Sequence, residues 1–131
     1  MAAQLKICGL TQPPQAAAVA GLGANAIGVI AARPSKRFLS PEQRPALWEA
    51  VAGANPACCR VLVVVNPSDS ELESLRPERG HQLLQLHGEE TPERCQQLRE
   101  ELGLPLWKAL RIRSPADLKR AETYSAVVDG L

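Results

Sequence analysis

The chain has 131 residues, with 15 basic and 14 acidic side chains and a net charge of +1. Such a balance leaves no electrostatic footprint for nucleic acid or an anionic membrane, and the length fits one domain able to bury a core. Apolar residues make up 45% and aromatics only 3%, so the core must be built from Leu, Val, Ile and Ala, which suits a parallel sheet covered by helices.

In chain order, short aliphatic runs alternate with longer amphipathic stretches. Strands are expected at Leu5–Cys8, Ala26–Ile30, Arg60–Val65, Leu83–His87, Leu106–Leu110 and Ala126–Leu131. Helices are expected at Pro14–Leu22, Pro41–Ala52, Ser68–Arg76, Thr91–Leu102 and Pro115–Thr123. Ser40-Pro41, Thr91-Pro92 and Ser114-Pro115 each set a capping hydroxyl before proline at a first helical position. Strand–helix alternation implies a parallel sheet, either doubly wound or closed into a barrel. A barrel needs roughly 200 residues or more, so this chain could supply only part of one. The sixth expected strand runs into the last residue, which reads as an interruption.

The glycine-rich segment Gly21-Leu22-Gly23-Ala24-Asn25-Ala26 imitates a dinucleotide fingerprint, but that motif must follow a strand and open a helix. Here the order is reversed, and a helix cap with a chain turn is the better reading. Ala16 to Ala32 is apolar for its length, yet Gly21, Gly23, Asn25 and Gly28 interrupt it and it is too short to span a bilayer. Gln4 and Lys6 stand where a signal peptide would need its apolar run. Cys8, Cys58, Cys59 and Cys95 form no C-x-x-C pair and no disulfide framework. A soluble protein of the reducing cytoplasm is expected.

Side chains two apart share a strand face. On that count Lys6 pairs with Cys8 and Gln85 with His87, while Lys108 and Asp129 add polar groups to the fifth and sixth strands. Polar residues recurring near strand C-termini mark the end where α/β folds bind ligands; each alone could equally be a solvated strand end. Cys8, followed by Gly9, is either a small inert core residue or a nucleophile or base. Arg33, Lys36 and Arg37 form either a solvated loop or an anion clamp. His87-Gly88-Glu89-Glu90 could wall the same site. Two histidines, one of them at a strand start, argue against a metal centre.

Taken together, Lys6-Ile7-Cys8-Gly9-Leu10-Thr11, Gly23 to Gly28 with Pro34-Ser35-Lys36-Arg37, Leu84-Gln85-Leu86-His87-Gly88-Glu89-Glu90, Trp107-Lys108-Ala109 and Tyr124 to Gly130 resemble the phosphoribosylanthranilate isomerases. The resemblance runs along essentially the whole chain in order and spacing. It implies a (βα)8 barrel, here incomplete, with about five βα units and a sixth strand, in one domain over residues 1–131. It also implies an Amadori rearrangement of N-(5′-phosphoribosyl)anthranilate in tryptophan biosynthesis, without cofactor or metal. Cys8 corresponds to the general base, Arg37 to the partner of the anthranilate carboxylate, and Gln85 and His87 to the walls of that pocket. Asp129 matches an acidic position earlier than the family's general acid, which is expected a few residues beyond Leu131, with the phosphate-gripping units later still. The piece alone is therefore expected to be inactive. The competing expectations are a non-catalytic half-barrel that self-associates or finds a partner through its open edges, and another phosphosugar-binding barrel with a convergent opening segment.

Overall fold

A computed structural model describes residues 2–131. Five parallel strands form one sheet in the order β1-β2-β3-β4-β5, namely β1 (Lys6–Cys8), β2 (Ala26–Ile30), β3 (Cys59–Val64), β4 (Leu83–Leu86) and β5 (Leu106–Lys108). The crossovers are α1 (Pro13–Gly21), α2 (Arg44–Ala54), α3 (Pro92–Leu102) and, between β3 and β4, the 3-10 helices Asp69–Leu75 and Pro77–Arg79; α4 (Pro115–Glu122) follows β5. Each strand lies beside its sequence neighbour with a helical crossover between, the sequential arrangement of barrel strands rather than a doubly wound sheet.

One face of the sheet carries Ile27, Val29, Leu62, Val64, Leu84, Leu86 and Leu106, which pack against Ala16 and Ala20 of α1, Leu47, Trp48 and Val51 of α2, and Cys95, Leu98 and Leu102 of α3. The inner face carries a smaller apolar set, Ala26, Ile30, Val61, Val63 and Leu83, with Cys8, Cys59 and Trp107 at its margin. β2 is buried along its whole length, as a central parallel strand must be.

Three expected elements differ from the structure. α2 begins at Arg44, not Pro41, and residues 41–43 form a turn. Pro45 explains the delay: it lacks an N–H, so it fits the first turn of a helix and breaks a later one. The third expected helix is the 3-10 helix Asp69–Leu75, opened by a reciprocal Ser68–Glu71 cap. Pro77 ends it by holding Arg76 extended, with φ −68° and ψ 146°. The sixth expected strand is a single parallel bridge, Gly130 against Trp107. Residues 123–127 turn instead, so that Tyr124 and Val128 can reach the core. The two bonds Asp129 N–H to Leu106 O (2.8 Å) and Lys108 N–H to Gly130 O (2.9 Å) carry the pairing. The glycine-rich segment does close α1 and lead into β2, with Gly23 at φ +98°.

Candidate active site at the C-terminal ends of the strands

Cys8 ends β1 on the inner face. It stands next to Gly28 of β2, and a Cβ added there would lie 2.8 Å from the Cys8 Sγ and 3.1 Å from the Lys6 Nζ. Gly28 thus makes room for the thiol and the ammonium side by side. The next residue, Gly9, has φ +86° and donates its N–H to Gly28 O at 2.9 Å. Arg37 folds back over it from the loop after β2: its Nη1 donates to Cys8 O at 3.2 Å, and a Cβ on Gly9 would come within 2.7 Å of its Cζ. The left-handed backbone and the close guanidinium both require glycine here. Arg37 itself is exposed, so its remaining donors face outward.

Gln85 projects from β4 onto the same inner face. It joins Lys6, Trp107, Ala109 and Gly130 around an open cavity of about 380 Å³. His87 departs from the expected arrangement. β4 ends at Leu86, strand alternation ends with it, and the exposed His87 lines a neighbouring cleft of about 310 Å³ with Asn66, Glu89, Arg111 and Arg120. The structure therefore brings Cys8, Arg37 and Lys6 together, sets Gln85 on their face, and places His87 around the rim.

Lys108 corrects the expectation of one polar face. In the parallel register Gln85 pairs with Trp107 and Leu86 with Lys108, so Lys108 points to the helix side. There it is 1% exposed. Its ammonium donates to Glu90 Oε1 at 2.7 Å and to Gly88 O at 2.6 Å. The other Glu90 oxygen accepts from Asn66 N–H at 2.7 Å, and Tyr124 Oη donates to Glu90 O at 2.8 Å. Asn66 holds φ 45° and receives Glu89 N–H at 2.9 Å. This knot fixes the loop that carries His87. Trp107 and the Glu90–Lys108 pair were missed in the sequence; strand register, which composition does not reveal, was the missing signal. Asp129 is also occupied: it accepts from Arg99 Nη2 at 2.9 Å and from Leu106 N–H at 2.8 Å.

The other thiols stand apart from this chemistry. Burial raises the Cys58 and Cys59 thiols above the usual range and pushes Cys95 up to about 11. All four cysteines are free. Among the described residues no group of three or more His, Cys, Asp or Glu could hold a metal ion, and no helix is long and apolar enough to cross a membrane.

Sequential parallel strands, helices on one face only and polar groups at the strand C-termini define an incomplete barrel of the (βα)8 class. Residues 5–131 match the family model for N-(5′-phosphoribosyl)anthranilate (PRA) isomerase, and the chain belongs to that family. The N-(5′-phosphoribosyl)anthranilate isomerase of Synechococcus elongatus is 47% identical over 132 residues, covering 100% of this chain and 60% of the relative. The enzyme of Trichormus variabilis is 40% identical over 129 residues, again across 60% of its own length. Among solved structures, a phosphoribosyl anthranilate isomerase in complex with reduced 1-(o-carboxyphenylamino)-1-deoxyribulose 5-phosphate superposes with a TM-score of 0.82 at 28% identity, over 99% of this chain and 66% of that one. The Thermotoga maritima enzyme gives the same TM-score and identity, over 62% of its chain. The chain thus spans about 60% of the length of the curated relatives it matches.

Proposed function

We propose that this chain, as one domain over residues 1–131, carries the general base and the carboxylate clamp of a phosphoribosylanthranilate isomerase of tryptophan biosynthesis. The observation that carries the reading is the Arg37–Cys8 contact, in which the guanidinium bonds the backbone carbonyl of the residue whose thiol lies on the inner face beside Gly28. The substrate is N-(5′-phosphoribosyl)anthranilate. Its benzoate would lie against Arg37, whose planar fork matches a carboxylate. Protonation of the ribose ring oxygen opens the ring to an iminium. Cys8, as the general base, then takes the C2′ proton, and the resulting enol relaxes to the ketone, 1-(2-carboxyphenylamino)-1-deoxyribulose 5-phosphate. Gln85 faces the same cavity and is suited to hold a sugar hydroxyl, while His87 closes the rim. The reading calls for no cofactor and no metal, and for a reducing compartment such as the cytoplasm, where a catalytic thiol persists.

Among the described residues no Asp or Glu projects from the strand face that bears Cys8, and Asp129 is held by Arg99 and Leu106. The chain by itself therefore lacks a general acid, and losing one costs about 10²–10⁴-fold in rate. Ligand binding is the fitting test. Titration with reduced 1-(o-carboxyphenylamino)-1-deoxyribulose 5-phosphate, followed by Trp107 fluorescence, should show saturable binding that Arg37→Ala weakens by about tenfold or more. Equal affinity in Arg37→Ala, or no binding at all, would remove the clamp from the proposal. Turnover by the unaltered chain at rates typical of enzymes, about 1–10³ per second, would contradict the missing acid.

The free edge of β1, and β5 covered only by the Gly130 bridge, support a second element of the proposal, self-association of the chain. Sedimentation velocity should then show mass rising with concentration, and a lysine introduced on β1 at Ile7 should suppress it; a monomer at every concentration would rule it out.

A further inference from the structure

A cleft of about 310 Å³ lies outside the inner face, between the loop after β2, the start of α2 and the 3-10 helix that follows β3. Three arginines, Arg33, Arg44 and Arg79, and three glutamates, Glu42, Glu71 and Glu73, line it. The charges balance in number but not in pairing. Glu73 is engaged by Arg76 at 3.2 Å and Arg79 at 3.6 Å. Glu71 is engaged by the cap of its own helix, accepting from Ser68 N–H at 2.8 Å and Ser68 Oγ at 3.0 Å. Glu42 is exposed, its carboxyl held below the usual range by a backbone amide and the Ser40 hydroxyl.

The cations are less well served. Arg33 has no ion pair among the described residues, and its guanidinium lies 5.4 Å from the centroid of the Phe38 ring. Arg44 is 3% exposed. Its Nε donates to Leu39 O at 3.0 Å, while its buried Nη1 finds no acceptor. A guanidinium does not give up its proton inside a protein, and a charge removed from water is tolerated when it is paired and hydrogen-bonded. Arg44 is one of the residues lining the cleft, so the cleft offers the approach for a partner.

We propose that this cleft binds a small oxyanion, a phosphate or carboxylate group, gripped by Arg44 from below and Arg33 from the rim. Two guanidinium forks converging on one acceptor group are the arrangement that holds such anions. The site is separate from the one around Cys8, since neither Cys8 nor Arg37 lines this cleft. It goes beyond the proposed isomerase chemistry and does not depend on it.

The test titrates the whole chain with inorganic phosphate and, separately, with acetate, at an ionic strength held constant with chloride. The Nε–H resonances of Arg33 and Arg44 report occupancy. Saturable shifts of both are expected. Arg44→Met should weaken binding about tenfold or more. Arg33→Gln, at an exposed position that does not bear on folding, should weaken it several-fold. Glu42→Gln, which removes an exposed negative charge from the cleft, should tighten it. Arg37→Ala should leave it unchanged, which separates this site from the proposed active site. Tighter binding of phosphate identifies a phosphate ligand; tighter binding of acetate identifies a carboxylate. A non-saturating drift, an Arg33→Gln affinity equal to that of the unaltered chain, or a loss confined to Arg37→Ala would overturn the proposal.

Discussion

Two polar clusters lie buried on the helix side of the same sheet, and they are finished to different degrees. Around β4 and β5, Glu90, Lys108, Asn66 and Tyr124 satisfy one another: the ammonium has two acceptors, the carboxylate has donors on both oxygens, and the Glu90 carbonyl takes the tyrosine hydroxyl. Between α2 and the segment before β4, Arg44, Trp48 and His81 are buried just as deeply, yet each leaves one nitrogen without a partner. Burial alone therefore says little about what a polar side chain does. A closed network fixes a loop, whereas an open one has capacity for something else.

Breaking the closed network should have the largest effect. Lys108→Met leaves the Glu90 carboxylate buried at 1% exposure with its charge partner gone, a change that costs about 3–5 kcal/mol. Urea unfolding would show it as a large fall in the midpoint. The double variant Lys108→Met, Glu90→Met should recover much of the loss, because an apolar pair of similar volume needs no counter-charge. If Lys108→Met costs no more than an exposed pair, below about 1 kcal/mol, the network is not closed in solution.

The open cluster should respond to pH instead. His81 Nε2 lies 2.7 Å from Leu75 O, so it donates, and the bare nitrogen is Nδ1. Burial first, then the positive charges of Arg44 and Arg60, hold its pKa below the ordinary value; the Leu75 bond and Glu78 oppose this without prevailing. In the unfolded chain His81 takes up a proton near pH 6.5 while the folded chain still does not. The unfolded state thus binds more protons, and stability falls as pH drops below about 6.5, by at most about 1.4 kcal/mol per pH unit until the folded pKa is reached. Urea midpoints between about pH 7.5 and about pH 5 should show that slope, and His81→Gln should flatten it. An unchanged slope in His81→Gln would place the acid sensitivity elsewhere.

The strand–helix order was legible because the apolar runs are short and bounded by proline and capping hydroxyls; all five strands begin, at Lys6, Ala26, Cys59, Leu83 and Leu106, within one residue of the expected starts. Cys8 beside Lys6 followed from alternation within one strand. Lys108 did not, because its face depends on the register between β4 and β5, which is a property of two strands and not of one. Alternation also failed at His87, one residue after β4 ends. The start of α2 turned on a competition between two prolines, Pro41 and Pro45, that cap rules do not resolve alone. The family resemblance set Arg37 apart from the other loop cations, but its physical distinction lay in a different segment, where Gly9 makes room for it.

The smallest expected effects sharpen the same contrast with two conservative exchanges. Tyr124→Phe removes one oxygen atom from the closed network and strips the Glu90 carbonyl of its only side-chain donor, so it should cost about 1–2 kcal/mol even though the ring is retained. Trp48→Phe removes an indole N–H that is bonded to nothing, so no acceptor is left unpaired. Trp48 is 2% exposed and packs against Gly80, where a Cβ would come within 2.9 Å of its Cδ1, so the exchange still loses apolar contact. The vanished desolvation penalty offsets part of that loss, and the net change should stay below about 1–2 kcal/mol despite the larger number of atoms deleted. Paired urea denaturation of the two variants decides the matter. If Trp48→Phe proves much the costlier, the indole N–H has a partner in solution, and the second cluster is as closed as the first.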